Sequence, residues 1–180
     1  IMRSKRITVA VDFLGCKLNQ AEMERLAREL AAAGYMMVPP ADGPDVYILN
    51  TCTVTHVADR KARHLLRMAR RRNPGVRTIA IGCYAERMPA DLERIEGVEM
   101  VIGNDRKYEL VSILSELLKT TPLSPDTRVI IHENSLRTRS FVKVQDGCRN
   151  FCAYCIVPLV RSRVENTPVK EVVSQVAARV

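Results

Sequence analysis

Residues 7–13, Ile7-Thr8-Val9-Ala10-Val11-Asp12-Phe13, lead straight into Leu14-Gly15-Cys16-Lys17-Leu18-Asn19-Gln20. The first seven are rich in β-branched and aromatic side chains and read as a strand. A helix signal follows. Asn19 can cap and Glu22 stands three residues on, while Met23, Leu26, Ala27, Leu30 and Ala31 form an apolar stripe. Gly34 suits the stop. The unit is therefore strand, cysteine-bearing loop, helix.

Outward from this unit the pattern returns. A turn-rich stretch, Pro39-Pro40-Ala41-Asp42-Gly43-Pro44, precedes a strand at Val46 to Asn50, and Cys52 follows it. A helix is expected from about Val54 to Arg72, ending at Asn73-Pro74-Gly75. The next strand, Val76 to Ile81, runs into Gly82-Cys83. A short helix near Ala90 to Ile95, a strand at Val98 to Ile102 and a helix from about Lys107 to Lys119 complete the series. Strands alternating with helices predict an α/β fold, a parallel sheet flanked by helices. Right-handed crossovers put the carboxyl ends of the strands on one edge, where open α/β sheets bind ligands. Cys16, Cys52 and Cys83 each follow a strand at that edge. Neighbouring strands lie about 4.8 Å apart, so the three thiols can meet.

The second part of the chain has another character. Thr120 to Thr127 holds Pro122 and Pro125, and polar residues continue to Thr138, so 120–139 reads as a linker between a domain at 5–119 and a segment at 140–180. A strand at Phe141 to Gln145 leads into Cys148-Arg149-Asn150-Phe151-Cys152-Ala153-Tyr154-Cys155. A helix from about Pro168 onward has Val172, Val173, Val176 and Ala177 as its apolar face.

The chain has 180 residues, with 47% hydrophobic and 27% charged content and a net charge of +8. This is the composition of an ordinary globular protein, and the charge favours a polyanionic partner such as RNA or DNA. No apolar run is long enough for a bilayer, and the first ten residues lack a signal peptide's apolar stretch, so a cytoplasmic protein that avoids membranes is expected. Six cysteines without an export signal point to metal or redox chemistry. Three of them, Cys148, Cys152 and Cys155, form one C-x-x-x-C-x-x-C loop. Three thiolates on a short loop can hold three irons of a [4Fe–4S] cluster and leave the fourth open. A zinc site or buried thiols are the alternative, although zinc usually takes paired C-x-x-C units with a fourth ligand. For the three dispersed cysteines alone, buried core thiols compete evenly with a site.

The compact motif resembles that of the radical S-adenosylmethionine enzymes. Together with Leu14-Gly15-Cys16-Lys17-Leu18-Asn19-Gln20, Asn50-Thr51-Cys52-Thr53-Val54-Thr55 and Gly82-Cys83-Tyr84-Ala85, the chain resembles the amino-terminal part of the methylthiotransferase family. Among its branches the pattern is most similar to the one that modifies N6-threonylcarbamoyladenosine in tRNA. The resemblance implies that Cys148, Cys152 and Cys155 hold the [4Fe–4S] cluster that binds and cleaves S-adenosyl-L-methionine, with Tyr154 near the cofactor's adenine. It implies that Cys16, Cys52 and Cys83 hold an auxiliary [4Fe–4S] cluster that supplies or carries sulfur. A methylthio group would then be installed at C2 of the modified adenosine, with tRNA and an external electron donor as partners. The family's radical domain is a partial barrel, of which this chain carries only the first β/α unit. The 180 residues alone are therefore expected to be inactive. Arg161-Ser162-Arg163 has Ser162 where the family often has glycine. The alternative function is a non-catalytic module that binds metal or RNA.

From Arg60 to Arg77 there are eight positive residues and no acidic one. Arg60, Arg63, Arg67 and Arg71 share a helical face opposite Ala58, Ala62, Leu65, Leu66 and Ala69. Lys61, Arg63 and Arg67 are the candidates for tRNA phosphates, against a plain solvated face. His56, His64 and His132 lack ligand spacing and read as ordinary residues. Residues after about Arg139 are expected to pack on the first domain, to pair with a second copy, or to be the most mobile part.

Overall fold

A computed structural model describes residues 6–118 and 141–178. The predicted linker at 120–139 lies outside the described residues. In chain order the first part comprises β1 (Thr8–Phe13), α1 (Lys17–Ala32), the short edge strand β2 (Met36–Met37), β3 (Val46–Thr51), α2 (His56–Arg72), β4 (Arg77–Gly82), α3 (Cys83–Arg87), α4 (Pro89–Glu93), β5 (Val98–Ile102) and α5 (Leu110–Leu118). The five strands form one parallel sheet in the order β2-β1-β3-β4-β5. This is the α/β architecture that the alternating pattern predicts.

β3 is central, and all six of its residues are buried. The period-2 alternation of a strand then sends its apolar side chains to two cores. Val46 and Ile48 join Val9, Ile79 and Ile81 beneath Met23, Leu26 and Leu30 of α1 and Leu110 and Leu114 of α5. Tyr47 and Leu49 join Ala10 and Ala80 on the other face, under Ala62 and Leu66 of α2 with Tyr84, Leu92 and Ile95. The sheet is therefore wound on both faces, and only its strand ends are left for chemistry.

The helix ends follow local rules, with one exception. Gly34 takes a φ of +89° after α1, and its amide and that of Tyr35 bond back to the Ala31 and Leu30 carbonyls. These two bonds close the helix as a Schellman motif. Thr55 caps α2, its hydroxyl accepting from the Ala58 amide at 3.1 Å. The exception is the start of α1. The N-cap is Cys16, which makes no side-chain cap bond, and Asn19 and Glu22 lie inside the helix. The expected capping pair is not formed because tertiary partners take both side chains.

The second part holds β6 (Gln145–Asp146), α6 (Val157–Val160), β7 (Glu165–Asn166) and α7 (Val169–Ala177). β6 and β7 pair antiparallel. The expected strand over 141–145 is therefore reduced to its last residue. A strand needs a ladder partner, and only Gln145 and Asp146 find one among the described residues. The segment packs on the first domain through Lys143, Asp146, Val160 and Arg161, whereas Val169, Val173 and Val176 of α7 stay exposed. No helix of the described residues is long and apolar enough to cross a membrane.

Candidate functional site

β1, β3 and β4 are neighbours in the sheet, and each is followed within three residues by a cysteine. Cys16 opens α1, Cys52 follows β3, and Cys83 opens α3. The three thiols line one cavity of about 320 Å³. Cys52 and Cys83 are buried and Cys16 is exposed. The approach is tight by construction of the loops. Gly15 has φ +95°, and a Cβ there would come within 2.5 Å of both Cys52 Cβ and Cys52 Sγ. Gly82, also at φ +95°, lies against Asn50 and the Thr51 backbone. Only glycine allows both this backbone region and this proximity.

Two buried asparagines brace the thiols. Asn19 Nδ2 donates to the Leu14 carbonyl at 2.8 Å and to the Thr51 carbonyl at 3.2 Å, tying the loops after β1 and β3 together. The Cys16 thiol approaches Asn19 Oδ1 at 3.8 Å. Asn104 Nδ2 reaches Cys83 Sγ at 3.7 Å and the Val160 carbonyl at 2.5 Å. Burial pushes the Cys52 thiol up, and the neighbouring Cys83 and Cys16 add to this, while a backbone amide at Val54 works against it.

The far wall of the cavity comes from the second part, with Ile156, Val157, Val160 and Arg161. That segment is held by a buried ion network that no sequence motif announces. Glu22 on α1 is at its centre. Its carboxylate accepts from Lys107 at 2.6 Å, from Lys143 at 2.8 Å, and from Arg161 at 2.8 and 3.1 Å. Asp146 accepts from Arg161 and Lys143, both at 2.6 Å, and from the Tyr108 hydroxyl at 2.8 Å. Burial favours the neutral acid at Glu22, but the Arg161 hydrogen bonds and the charges of Lys107, Arg161 and Lys143 outweigh it and pull Glu22 down to about 2. Asp146 is held below the usual carboxylate range for the same reasons. Arg161 is pushed up against its burial by Glu22, Cys83 and Asp146. Asn19 and Glu22 stand at helix-cap spacing, and that spacing gives no sign of the network.

The second cysteine set looks different. Cys148 and Cys155 are half-buried and Cys152 is exposed. The Cys155 amide bonds to the Cys152 carbonyl at 2.9 Å, and Phe151 has a positive φ of 46°. Tyr154 is 92% exposed and lines none of the cavities named above. Among the described residues no three Cys, His, Asp or Glu side chains gather to hold a single ion, which would need sulfurs about 2.3 Å from one centre. Three thiols around one cavity fit a four-iron cluster in donor type and can serve three of its four irons.

Of the basic candidates, the structure gathers Arg63 but leaves Lys61 and Arg67 exposed on the same helix. Arg63 bonds to the Tyr84 hydroxyl at 2.5 Å and, with Arg60, Arg87 and the carboxylates Asp59 and Asp91, borders a surface cavity of about 450 Å³. Arg87 lies on α3, beyond the reach of a helical-face argument on α2.

Fold and site together define an α/β domain that presents three strand-end cysteines to one cavity. Residues 8–103 match the family described as Uncharacterized protein family UPF0004, and the chain belongs to that family, the amino-terminal domain of methylthiotransferases. It is similar to the threonylcarbamoyladenosine tRNA methylthiotransferase MtaB of Aquifex aeolicus (strain VF5), at 37% identity over 93% of this chain and 43% of the relative. The MtaB of Bacillus subtilis (strain 168) is 34% identical over 93% of this chain and 40% of its own length. A tRNA-2-methylthio-N(6)-dimethylallyladenosine synthase of Dictyoglomus thermophilum (strain ATCC 35947 / DSM 3960 / H-6-12) is 32% identical over 90% of this chain and 40% of its length. The chain thus spans about two fifths of the curated relatives that it matches.

Proposed function

We propose that this chain is the amino-terminal part of a tRNA methylthiotransferase that acts on N6-threonylcarbamoyladenosine. The observation that carries the reading is the meeting of Cys16, Cys52 and Cys83 at one cavity, with the C-x-x-x-C-x-x-C segment docked on the same sheet edge. Cys16, Cys52 and Cys83 hold one [4Fe–4S] cluster, and Cys148, Cys152 and Cys155 hold a second. The clusters, with S-adenosylmethionine, supply the radical and sulfur chemistry when bound. The chain's own residues do the positioning. Gly15 and Gly82 let the loops converge, Asn19 and Asn104 orient the thiols, and the ion network holds the second segment against them. The branch is supported by the Asn50-Thr51-Cys52-Thr53-Val54-Thr55 pattern and by the names of the two relatives at 37% and 34% identity. Arg60, Arg63 and Arg87, with Lys61 and Arg67 beside them, grip tRNA phosphates.

Anaerobic reconstitution followed by iron and sulfide analysis tests the cluster reading. Two clusters per chain are expected, and the Cys148→Ala, Cys152→Ala, Cys155→Ala triple variant should keep one. Zinc uptake without sulfide would instead favour a non-catalytic metal-binding module. The substrate is tested by grafting residues 6–178 onto the rest of an MtaB relative and analysing tRNA nucleosides by mass spectrometry. Methylthiolated N6-threonylcarbamoyladenosine is expected, and the Cys52→Ala chimera should make none. The ungrafted chain should modify no tRNA at a measurable rate.

A further inference from the structure

Of the residues lining the three-thiol cavity, Arg161 is the one with a formal charge. Its side chain is 3% exposed and cannot swing into solvent. Both ends of the guanidinium fork are fixed, Nη1 between Glu22 and Asp146 and Nη2 between Asn19 and Glu22. An arginine fork held this way loses little further freedom when it meets a ligand.

The charge count of the network is uneven. By formal charge Lys107, Lys143 and Arg161 are three cations against the two carboxylates Glu22 and Asp146, and burial weakens the hold of Lys107 on its proton. A buried charge without a partner is costly, and burying it is tolerated where an opposite charge arrives. The same cavity holds three thiols, and Asn104 joins the Cys83 sulfur to the carbonyl of Val160, the residue before Arg161. Lys107 and Lys143 border the neighbouring cavity together with Glu22 and Asp146, so Arg161 is the cation of the network that stands on the thiol side.

We propose that Arg161 is a positioning residue of the three-thiol site, laying a fixed positive charge along the cavity wall beside Cys83 so that the cavity takes an anionic group. This rests on the cluster reading above, because a cluster held by three thiolates is such a group. The arrangement also links the two parts of the chain. The charge reaches the thiols only when the segment carrying Arg161 is docked through Glu22, so cavity and docked segment are assembled together.

The test needs no cluster. Metal-free, reduced chain is alkylated with neutral iodoacetamide and with anionic iodoacetate, and modification of Cys83 and Cys16 is followed by peptide mass spectrometry. The ratio of the two rates cancels accessibility and reports local charge. N-acetylcysteine amide in the same solution is the reference thiol. The iodoacetate preference at Cys83 should exceed the reference by about tenfold at low salt and shrink as ionic strength rises. Arg161→Gln should abolish the preference and Arg161→Lys should restore most of it. A Cys83 ratio equal to or below the reference in the unaltered protein overturns the proposal, whether or not the variants fold. In reconstituted protein, Arg161→Gln should make the cluster of the first triad harder to reduce by about tenfold, or about 59 mV for a one-electron couple. If the chain takes up no iron and sulfide, the cluster reading fails while the alkylation ratio still decides the charged wall. If it takes them up with a flat ratio, the charged wall fails and the cluster reading stands.

Discussion

The two cysteine sets of this chain are built by different means. Cys16, Cys52 and Cys83 come from loops 36 and 31 residues apart, yet the sheet brings them to one cavity, and two of them are buried. Cys148, Cys152 and Cys155 are neighbours in sequence, yet their loop is largely open, with Phe151 71% and Tyr154 92% exposed. Distant residues are thus better enclosed than adjacent ones. The difference lies in what surrounds them. The first set stands on strands covered by apolar helices on both faces, whereas the second stands on a two-residue ladder and is steadied by five charged side chains.

The comparison breaks most readily at Glu22. Glu22→Ala leaves Lys107, Lys143 and Arg161 facing only Asp146, and breaking a buried ion network in this way costs about 3–5 kcal/mol. The docked segment at 141–161 should lose its hydrogen-exchange protection while the strands of the sheet keep theirs. If both parts lose protection together, the contrast between them is wrong.

Acid should do the same by degrees. The Glu22 carboxyl is lowered from 4.5 to about 2, so its ionised form favours the docked state at neutral pH. That contribution, about 3 kcal/mol, is complete above 4.5 and disappears as pH falls toward 2. Amide NMR signals of 141–161 should shift in that window, before the β3 and β4 signals move.

A smaller effect is expected inside the first site. Gly15→Ala puts a methyl group against Cys52 at a φ of +95° and should cost about 1–3 kcal/mol in a urea melt. Iron and sulfide uptake by Cys16, Cys52 and Cys83 should fall with it, and uptake by Cys148, Cys152 and Cys155 should not. The least effect belongs to Tyr154→Ala. Its ring is almost fully exposed, so stability should stay within about 0.5 kcal/mol by thermal melt.

Much of the first part is legible in its amino-acid pattern. The run Val46-Tyr47-Ile48-Leu49 is apolar on both sides, which is the mark of a strand covered on two faces, and β3 is that strand. Gly34 and Asn73-Pro74-Gly75 end helices where expected, because those ends are set by local backbone chemistry. The placement of Cys16, Cys52 and Cys83 at strand ends needs only the order of elements. Less is legible in the second part. Phe141, Val142 and Val144 have strand-forming side chains, but a strand is a pairing and the partner is not decided by the strand itself. The same applies to α7, whose stripe of valines is readable and whose covering is not.

Asn19 and Glu22 mark the boundary. Their spacing is that of a helix cap, and a local rule has no means to reject it. In the fold Asn19 joins two cysteine loops and Glu22 receives Lys107, Lys143 and Arg161, the last of them 139 residues away. The sequence by itself determined the alternation of strands and helices and the edge at which Cys16, Cys52 and Cys83 stand, because period, turn residues and element order are local properties. Only the tertiary structure decided which charges are buried together and which wall closes the cavity. Those outcomes depend on desolvation and on distances between groups that the chain keeps far apart until it folds.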